Sequence, residues 1–472
     1  MAFALLDWLP LFVYFALLGV LTLRRKYAGH HAGDEAGFLL SGRRLTLPAF
    51  VATLVATWYG GILGVGEFTY LAGISQWLMF AFPYYVFAVL YAVFIAGKIR
   101  EGSALTLPEA LRQQYGPKTG LAGAFGVFLL VNPAPYILML GIIAQLVTGA
   151  DSWFWFAAAV ALFSTVYVSL GGFASVVRTD LLQLVLMYGG FVMLLAFAWQ
   201  AAGSPAEMWT QLPESHTDIT GGFSAVYILV WFFIAMWTFV DPGFHQRSAA
   251  AASPAVARRG ILISVGFWAV FDMLTVLTGL YALVLLGPAL ESPAAAYPEL
   301  AALLLPAGLF GLFITGLVAV IMSTLDSFLF IAGQTLGRDV FPGSVKGAGF
   351  LGNRIARIRA GTLAAALLGL ALAFVFPSVI ELWYVIGSLI IPALLLPVLG
   401  IYLPFFRMRP KAALAAIIAA FSLSLFWLVM GVATGDSLFS YAWLGIEPFY
   451  PGLAAAVLIF AADRIQKQPS IC

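Results

Sequence analysis

Thirteen apolar runs, with every cationic side chain gathered on one side of them, constrain this chain more than any other feature. The runs cover residues 5–23, 47–72, 75–97, 119–148, 152–170, 179–202, 223–244, 260–287, 305–332, 360–377, 380–403, 412–434 and 448–463. A hydrocarbon core is crossed by about 20 apolar residues in a helix, and a run of roughly 17 is near the lower limit. With the N-terminus outside and the runs alternating, the inner connections hold Arg24 to Arg44, Lys98 to Lys118, Arg178, Arg247 to Arg259, Arg338 to Arg359, Arg407 to Lys411, and Arg464 with Lys467. Together these are all 23 lysines and arginines. The outer loops, such as 201–222 and 287–304, carry only acids and His216. Inner loops rich in Lys and Arg set the orientation of a membrane protein. Only 9% of residues are charged, against about 25% in a soluble domain. The expectation is an all-α polytopic membrane protein of thirteen transmembrane helices, its N-terminus outside and its C-terminus cytoplasmic.

The same pattern excludes several function classes. In the first run the positive charges follow the apolar core and only Asp7 is embedded early, the reverse of a signal peptide, so an uncleaved span is expected. The only cysteine is Cys472, which rules out a disulfide within the chain. The connections leave no room for a nucleotide-driven motor or a soluble catalytic domain, and no Walker-type Gly-x-x-x-x-Gly-Lys-Ser/Thr occurs. His30, His31 and His216 fall in loops and His245 at a helix end, with no His-Glu-x-x-His metal motif. An enzyme is therefore not expected, nor an organic cofactor, a nucleic-acid partner or an obligatory protein partner. Energy must come from an ion gradient or from the solute's own gradient.

Six acids lie within or at the ends of the runs: Glu67, Asp180, Asp241, Asp272, Asp326 and Glu381. A charge at the bilayer centre costs about 2.5–3.5 kcal/mol on insertion scales, so such residues face a cavity or a partner. Glu67 and Glu381 are also compatible with the interface, and Asp241 before Pro242 with a helix cap or kink. Asp180 stands in RTDLLQ, with Gln183 one turn on. Asp326 stands in MSTLDS, where Ser323, Thr324 and Ser327 add three hydroxyls on neighbouring helix positions. That cluster offers the oxygen ligands a hard monovalent cation takes, although hydroxyls in membrane helices also bond back to carbonyls or join helices. Near the middle of the second run, Ala56 to Gly66 reads ATWYGGILGVG. Each glycine weakens a helix by roughly 1 kcal/mol relative to alanine. A break here would free carbonyls for an ion; close helix packing through small residues is the alternative.

On these residues the chain resembles the sodium/solute symporter family. SGRRLTLPAFVATLVATWYGG is similar to the start of that family's first core helix. TLPEALRQQYG, GGFASVVRTDLLQ, DPGFHQRSAAA and AVIMSTLDS resemble four further motifs in the family's order. The resemblance implies two inverted five-helix repeats, spans two to six and seven to eleven. It divides the chain into 1–46 (first helix and cytoplasmic loop), 47–203 (first repeat), 204–403 (second repeat with its exterior loop) and 404–472 (two C-terminal helices and a short tail). It implies a first sodium site from the carbonyls of Ala56, Tyr59 and Val320 and the hydroxyls of Ser323 and Thr324, with Val320 replacing the usual alanine. Some members have a second ion site, which here would use Asp180, Ser323, Asp326 and Ser327. Asp326 departs from the hydroxyl or small residue usual there, and two carboxylates at one site repel unless a cation or proton lies between them. Trp58 stands where the family's proline carriers have an aspartate, which argues against proline.

The expected function is sodium-coupled import of a small organic solute by alternating access, with one sodium ion or two. The alternatives are proton coupling through Asp180 and Asp326, or a membrane sensor acting with a separate signalling partner. By span order, the substrate pocket is expected at Thr57, Trp58, Tyr59, Asn132, Tyr136, Trp231, Trp237, Trp383 and Tyr384. No lysine or arginine is expected within the membrane core, so the solute is expected to be neutral, zwitterionic or cationic and not a bulky dicarboxylate. The short loops suit a bacterial inner membrane.

Overall fold

The computed structural model describes residues 3–23, 35–150, 152–341, 353–375, 379–434 and 441–466. Arg24, Arg25, Lys26, His30, His31, Lys346, Lys467 and Cys472 lie outside them. The described residues form helices joined by short turns, with no β-strand beyond two isolated bridges. Eleven of these helices are long and apolar enough to cross a membrane, and Leu5–Leu21 forms a shorter apolar helix. The expected count of thirteen is therefore not reached. The first run loses its opening turn to a 3-10 turn, Leu5–Asp7. The last folds as Phe449–Ile465, 17 residues ending on Asp463, Arg464 and Ile465, and at 1.5 Å per residue spans only about 25 Å.

The elements that build the site are α1 (Trp8–Leu23), α2 (Leu47–Trp58), α3 (Ile62–Ala72), α4 (Phe154–Gly171), α5 (Phe173–Ala202), α6 (Ala225–Ile234), α7 (Pro242–Ala250), α8 (Pro254–Leu286), α9 (Leu309–Gln334) and α10 (Val379–Tyr402). The axis of the molecule is α9, whose membrane-spanning stretch is entirely buried, whereas that of α5 is about one-third buried. It packs against α1, α2, α4 and α5. Its N-terminal end is fixed by Asp7. One carboxylate oxygen accepts from the backbone N–H of Gly308 at 2.6 Å and Gly311 at 3.0 Å. These are donors that a helix N-terminus otherwise leaves unpaired. Gly308 has φ +87°, and a Cβ on Gly311 would lie 2.2 Å from the Asp7 carbonyl oxygen. Both positions need glycine for the acid to reach them.

The second and seventh runs are each interrupted. Between α2 and α3 the chain tightens into a 3-10 turn, Tyr59–Gly61. The glycines serve both the turn and its close packing. A Cβ on Gly60 would sit 2.0 Å from the Thr324 hydroxyl, and one on Gly61 would sit 1.9 Å from the Trp383 ring. Between α6 and α7 the helix stops, and Asp241 restarts it. Its Oδ1 accepts from the backbone N–H of Phe244 at 2.8 Å, with Pro242 in the first turn. The cap lets helix continue past the Asp-Pro pair to Ala250.

Just past the C-terminal end of α9, Arg338 forms ion pairs with Glu35, Glu109 (3.0 Å) and Asp339 (3.0 Å), and Arg354 also pairs with Glu35 (2.8 Å). Partial burial opposes ionisation of Glu35, but the Arg338 and Arg354 guanidiniums outweigh it and hold the carboxyl below its usual range. A depressed folded-state value means that this contribution to stability is full at neutral pH and is lost as pH falls through that value. Glu35→Gln is expected to lower the melting temperature of the purified protein at neutral pH and to leave it nearly unchanged in acid. An equal loss at both pH values would place the effect in packing and not in charge.

Candidate functional site

Four helices converge on one buried polar cluster. On α2, Thr53 and Thr57 are one turn apart; on α9, Ser323 and Ser327 are one turn apart. Each pair therefore shares a face. Asp180 comes from α5 and Arg247 from α7. The Ser323 hydroxyl donates to Asp180 Oδ1 at 2.6 Å, and the Thr53 hydroxyl donates to Oδ2. Arg247 Nη2 lies 3.8 Å from Asp180 Oδ2. It donates to the Thr57 hydroxyl at 2.5 Å and the Ser327 hydroxyl at 3.0 Å, while Nε donates to Thr53 at 3.2 Å. Asp180 and Arg247 are both 0% exposed.

Arg247 corrects the expectation that the membrane core holds no lysine or arginine. The segment Ala225–Ala250 is one spanning unit, because the Asp241 cap carries helix onward through Arg247. Desolvating an ion costs several kcal/mol, and only a counter-charge and further hydrogen bonds offset it. Asp180 and the hydroxyls of Thr53, Thr57 and Ser327 provide these.

Beside this cluster lie the residues expected at the first sodium site. Thr324 on α9 packs against Gly60 in the turn after α2, Ser323 lies 3.3 Å from the Thr57 hydroxyl, and Ala56, Tyr59, Val320, Ser323 and Thr324 are all buried. The Thr324 hydroxyl donates to the Thr57 carbonyl at 2.5 Å. The donor set is carbonyls and hydroxyls, hard neutral oxygens that suit a monovalent cation. The residues expected at a second site are arranged differently. Ser323 bonds directly to Asp180, whereas Ser327 is linked to Asp180 through Arg247. Asp326 is fully buried with neither oxygen in a normal hydrogen bond; Ser164 of α4 lies against it.

A cavity of about 120 Å³ opens next to the turn. Thr57, Trp58, Tyr59, Tyr136, Trp231, Trp237 and Trp383 line it, as expected from span order. Asn132 and Tyr384 do not. Asn132 turns its side-chain oxygen back to the Ala134 N–H at 3.0 Å, and the Tyr384 hydroxyl donates to Glu447. The lining also includes Gln76, Phe80, Tyr84, Phe244, Asp241, Asp272 and Arg247, none of them expected there. Gln76, Phe80 and Tyr84 lie in a run with no motif to mark them. The Gln-Arg pair of DPGFHQRSAAA was the signal available for Arg247.

The fold and the sequence both have known counterparts. A solved outward-open structure of a Na+-coupled sialic acid symporter superposes with a TM-score of 0.79, covering 98% of this chain and 97% of that one, at 17% identity. The high-affinity proline transporter PutP of Bacillus subtilis is 24% identical over 390 residues, 79% of each chain. The high-affinity choline transporter 1 of Drosophila melanogaster is 28% identical over 191 residues, 39% of this chain and 30% of that protein. The Sodium:solute symporter family matches residues 38–420. The chain is thus a multi-pass membrane protein and belongs to the sodium:solute symporter family.

Proposed function

We propose that this protein imports a small organic solute together with sodium across a bacterial inner membrane, by alternating access between two inverted five-helix repeats. The observation that carries this reading is the shared turn. Tyr59–Gly61 touches the Ser323 and Thr324 region of α9 on one side and the aromatic cavity on the other. A sodium ion held by Ala56, Tyr59, Val320, Ser323 and Thr324 would join α9 to the turn and so order Trp58 and Tyr59 in the cavity wall. Solute and ion then favour the same conformer, which is what coupling requires. The interruption between α6 and α7 stands in the first helix of the second repeat, as the α2–α3 turn does in the first.

The arrangement of Arg247 supports a single sodium. Its guanidinium takes up Ser327 and Thr57 and faces Asp180, groups that a second cation would need. The competing reading, coupling to protons at Asp180 and Asp326, rests on the unbonded carboxyl of Asp326. It predicts stabilisation and uptake that follow pH and ignore sodium.

The test is the melting temperature of the detergent-purified protein titrated with sodium against potassium at constant ionic strength. A ligand at 100 times its dissociation constant stabilises by about 2.7 kcal/mol. A sodium-specific upshift is expected, and Ser323→Ala or Thr324→Ala should raise the sodium concentration for half the effect. Unchanged sodium dependence in both variants would refute the site. In proteoliposomes, uptake against sodium should follow a Hill coefficient of about 1, since the coefficient cannot exceed the number of coupled sites. A value near 2 would mean that Arg247 does not stand in for the second ion.

A further inference from the structure

We propose that the solute is a small organic monocation, an ammonium compound bound between the aromatic wall of the cavity and the carboxylates of Asp272 and Asp241. This rests on the symporter reading above and names the substrate class for the same cavity.

The charge balance of the wall points this way. Two carboxylates line the cavity, and Arg247 is the one cation among its described lining residues. The Arg247 donors are engaged with Thr53, Thr57, Ser327 and the Gly243 carbonyl, and its charge is shared between Asp180 and Asp241. Asp241 keeps both oxygens as acceptors, for the Phe244 N–H and for Trp237 Nε1 at 3.2 Å. Asp272, in the middle of α8, accepts from the Tyr85 hydroxyl. It has no ion pair among the described residues. A carboxylate on the solute would meet Asp272, which no cation offsets, and find the one strong donor taken. A cation meets its counter-charge.

The rings supply the second half of the site. Trp58 packs against Tyr84 at 4.9 Å and Phe244 at 5.5 Å between centroids, and Phe80 against Trp231 at 4.4 Å. An ammonium group over such faces is attracted by the ring quadrupole, more strongly when water is excluded. Two further groups are unpaired. Gln76 is 1% exposed, lines the cavity, and among the described residues has no hydrogen-bond partner on its side-chain oxygen; Trp231 Nε1 has none there either. A buried polar group without a partner is costly. An acceptor and a donor left over in one cavity match a hydroxyl at the uncharged end of the solute.

Three probes of nearly one shape separate the classes: choline, its zwitterionic relative glycine betaine, and its uncharged carbon isostere dimethylbutanol. Each is titrated into the purified full-length protein in sodium, with tryptophan fluorescence and melting temperature as readouts. Choline should half-saturate at a concentration roughly tenfold or more below that of the isostere, with betaine weaker than choline. Asp272→Asn should weaken choline and leave the isostere unchanged. Should that variant fail to fold, Trp58→Leu should show the same selective loss. Equal or tighter binding of betaine or the isostere overturns the proposal. So does a sodium upshift with no response to choline, which leaves the symporter reading standing. Absence of the sodium upshift itself removes the symporter reading and this inference with it.

Discussion

The structure depends on a positive charge buried inside the helix bundle. Arg247 is 0% exposed, and its guanidinium binds side chains from α2 and α9 while facing Asp180 on α5. Removing either charge would leave the other buried and uncompensated, a situation that costs about 3–5 kcal/mol. The pair therefore sets the positions of three helices relative to α7. It also makes the surrounding hydroxyls part of one network. Ser323 bonds to Asp180, Thr57 to Arg247, and Thr324 to the carbonyl beside the α2–α3 turn. Any change at Ser323 or Thr324 is felt across that whole set.

From this network the cavity follows. Thr57 belongs to the polar cluster, and Trp58 and Tyr59, the next two residues, belong to the cavity wall. A helix that ended earlier would separate the two, and one that ran straight on would redirect the chain from Gly60 onward. The glycines set the fit: Gly60 admits Thr324 and Gly61 admits Trp383. Two alternatives left open by the sequence, a broken helix and close packing through small residues, are both realised in one turn.

Much of this was legible in the sequence because membrane physics leaves few options. Apolar runs of sufficient length become helices, and the segregated cations fix their orientation. The hydroxyl cluster of MSTLDS stood out because polar groups are rare in such runs. The burial of Arg247 was hidden by local signals. Asp241 followed by Pro242 reads as the end of a helix, and only the contact between the Asp241 carboxylate and the Phe244 N–H shows that it is a beginning. Asn132 and Tyr384 were placed by span order, which gives depth in the membrane but not rotation about the helix axis. Each found a partner elsewhere, Asn132 in its own turn and Tyr384 in Glu447 from a distant segment. Asp326 was grouped with Ser323 and Ser327 by sequence proximity. A residue three positions along a helix is turned by roughly 60°, enough to put it against Ser164 instead.

The complete enclosure of α9 has a consequence for how the protein meets its surroundings. A helix on the outside of the bundle is solvated by acyl chains, so bilayer thickness and headgroup composition act on it directly. The oxygen set on α9 is insulated from them by a full shell of protein. The lipid-facing helices can drift in sequence, and the host can remodel its membrane with temperature or growth phase, while the solvent felt by Ser323 and Thr324 stays the same. What these hydroxyls sense is the protein itself, and through it only those lipid changes large enough to move whole helices.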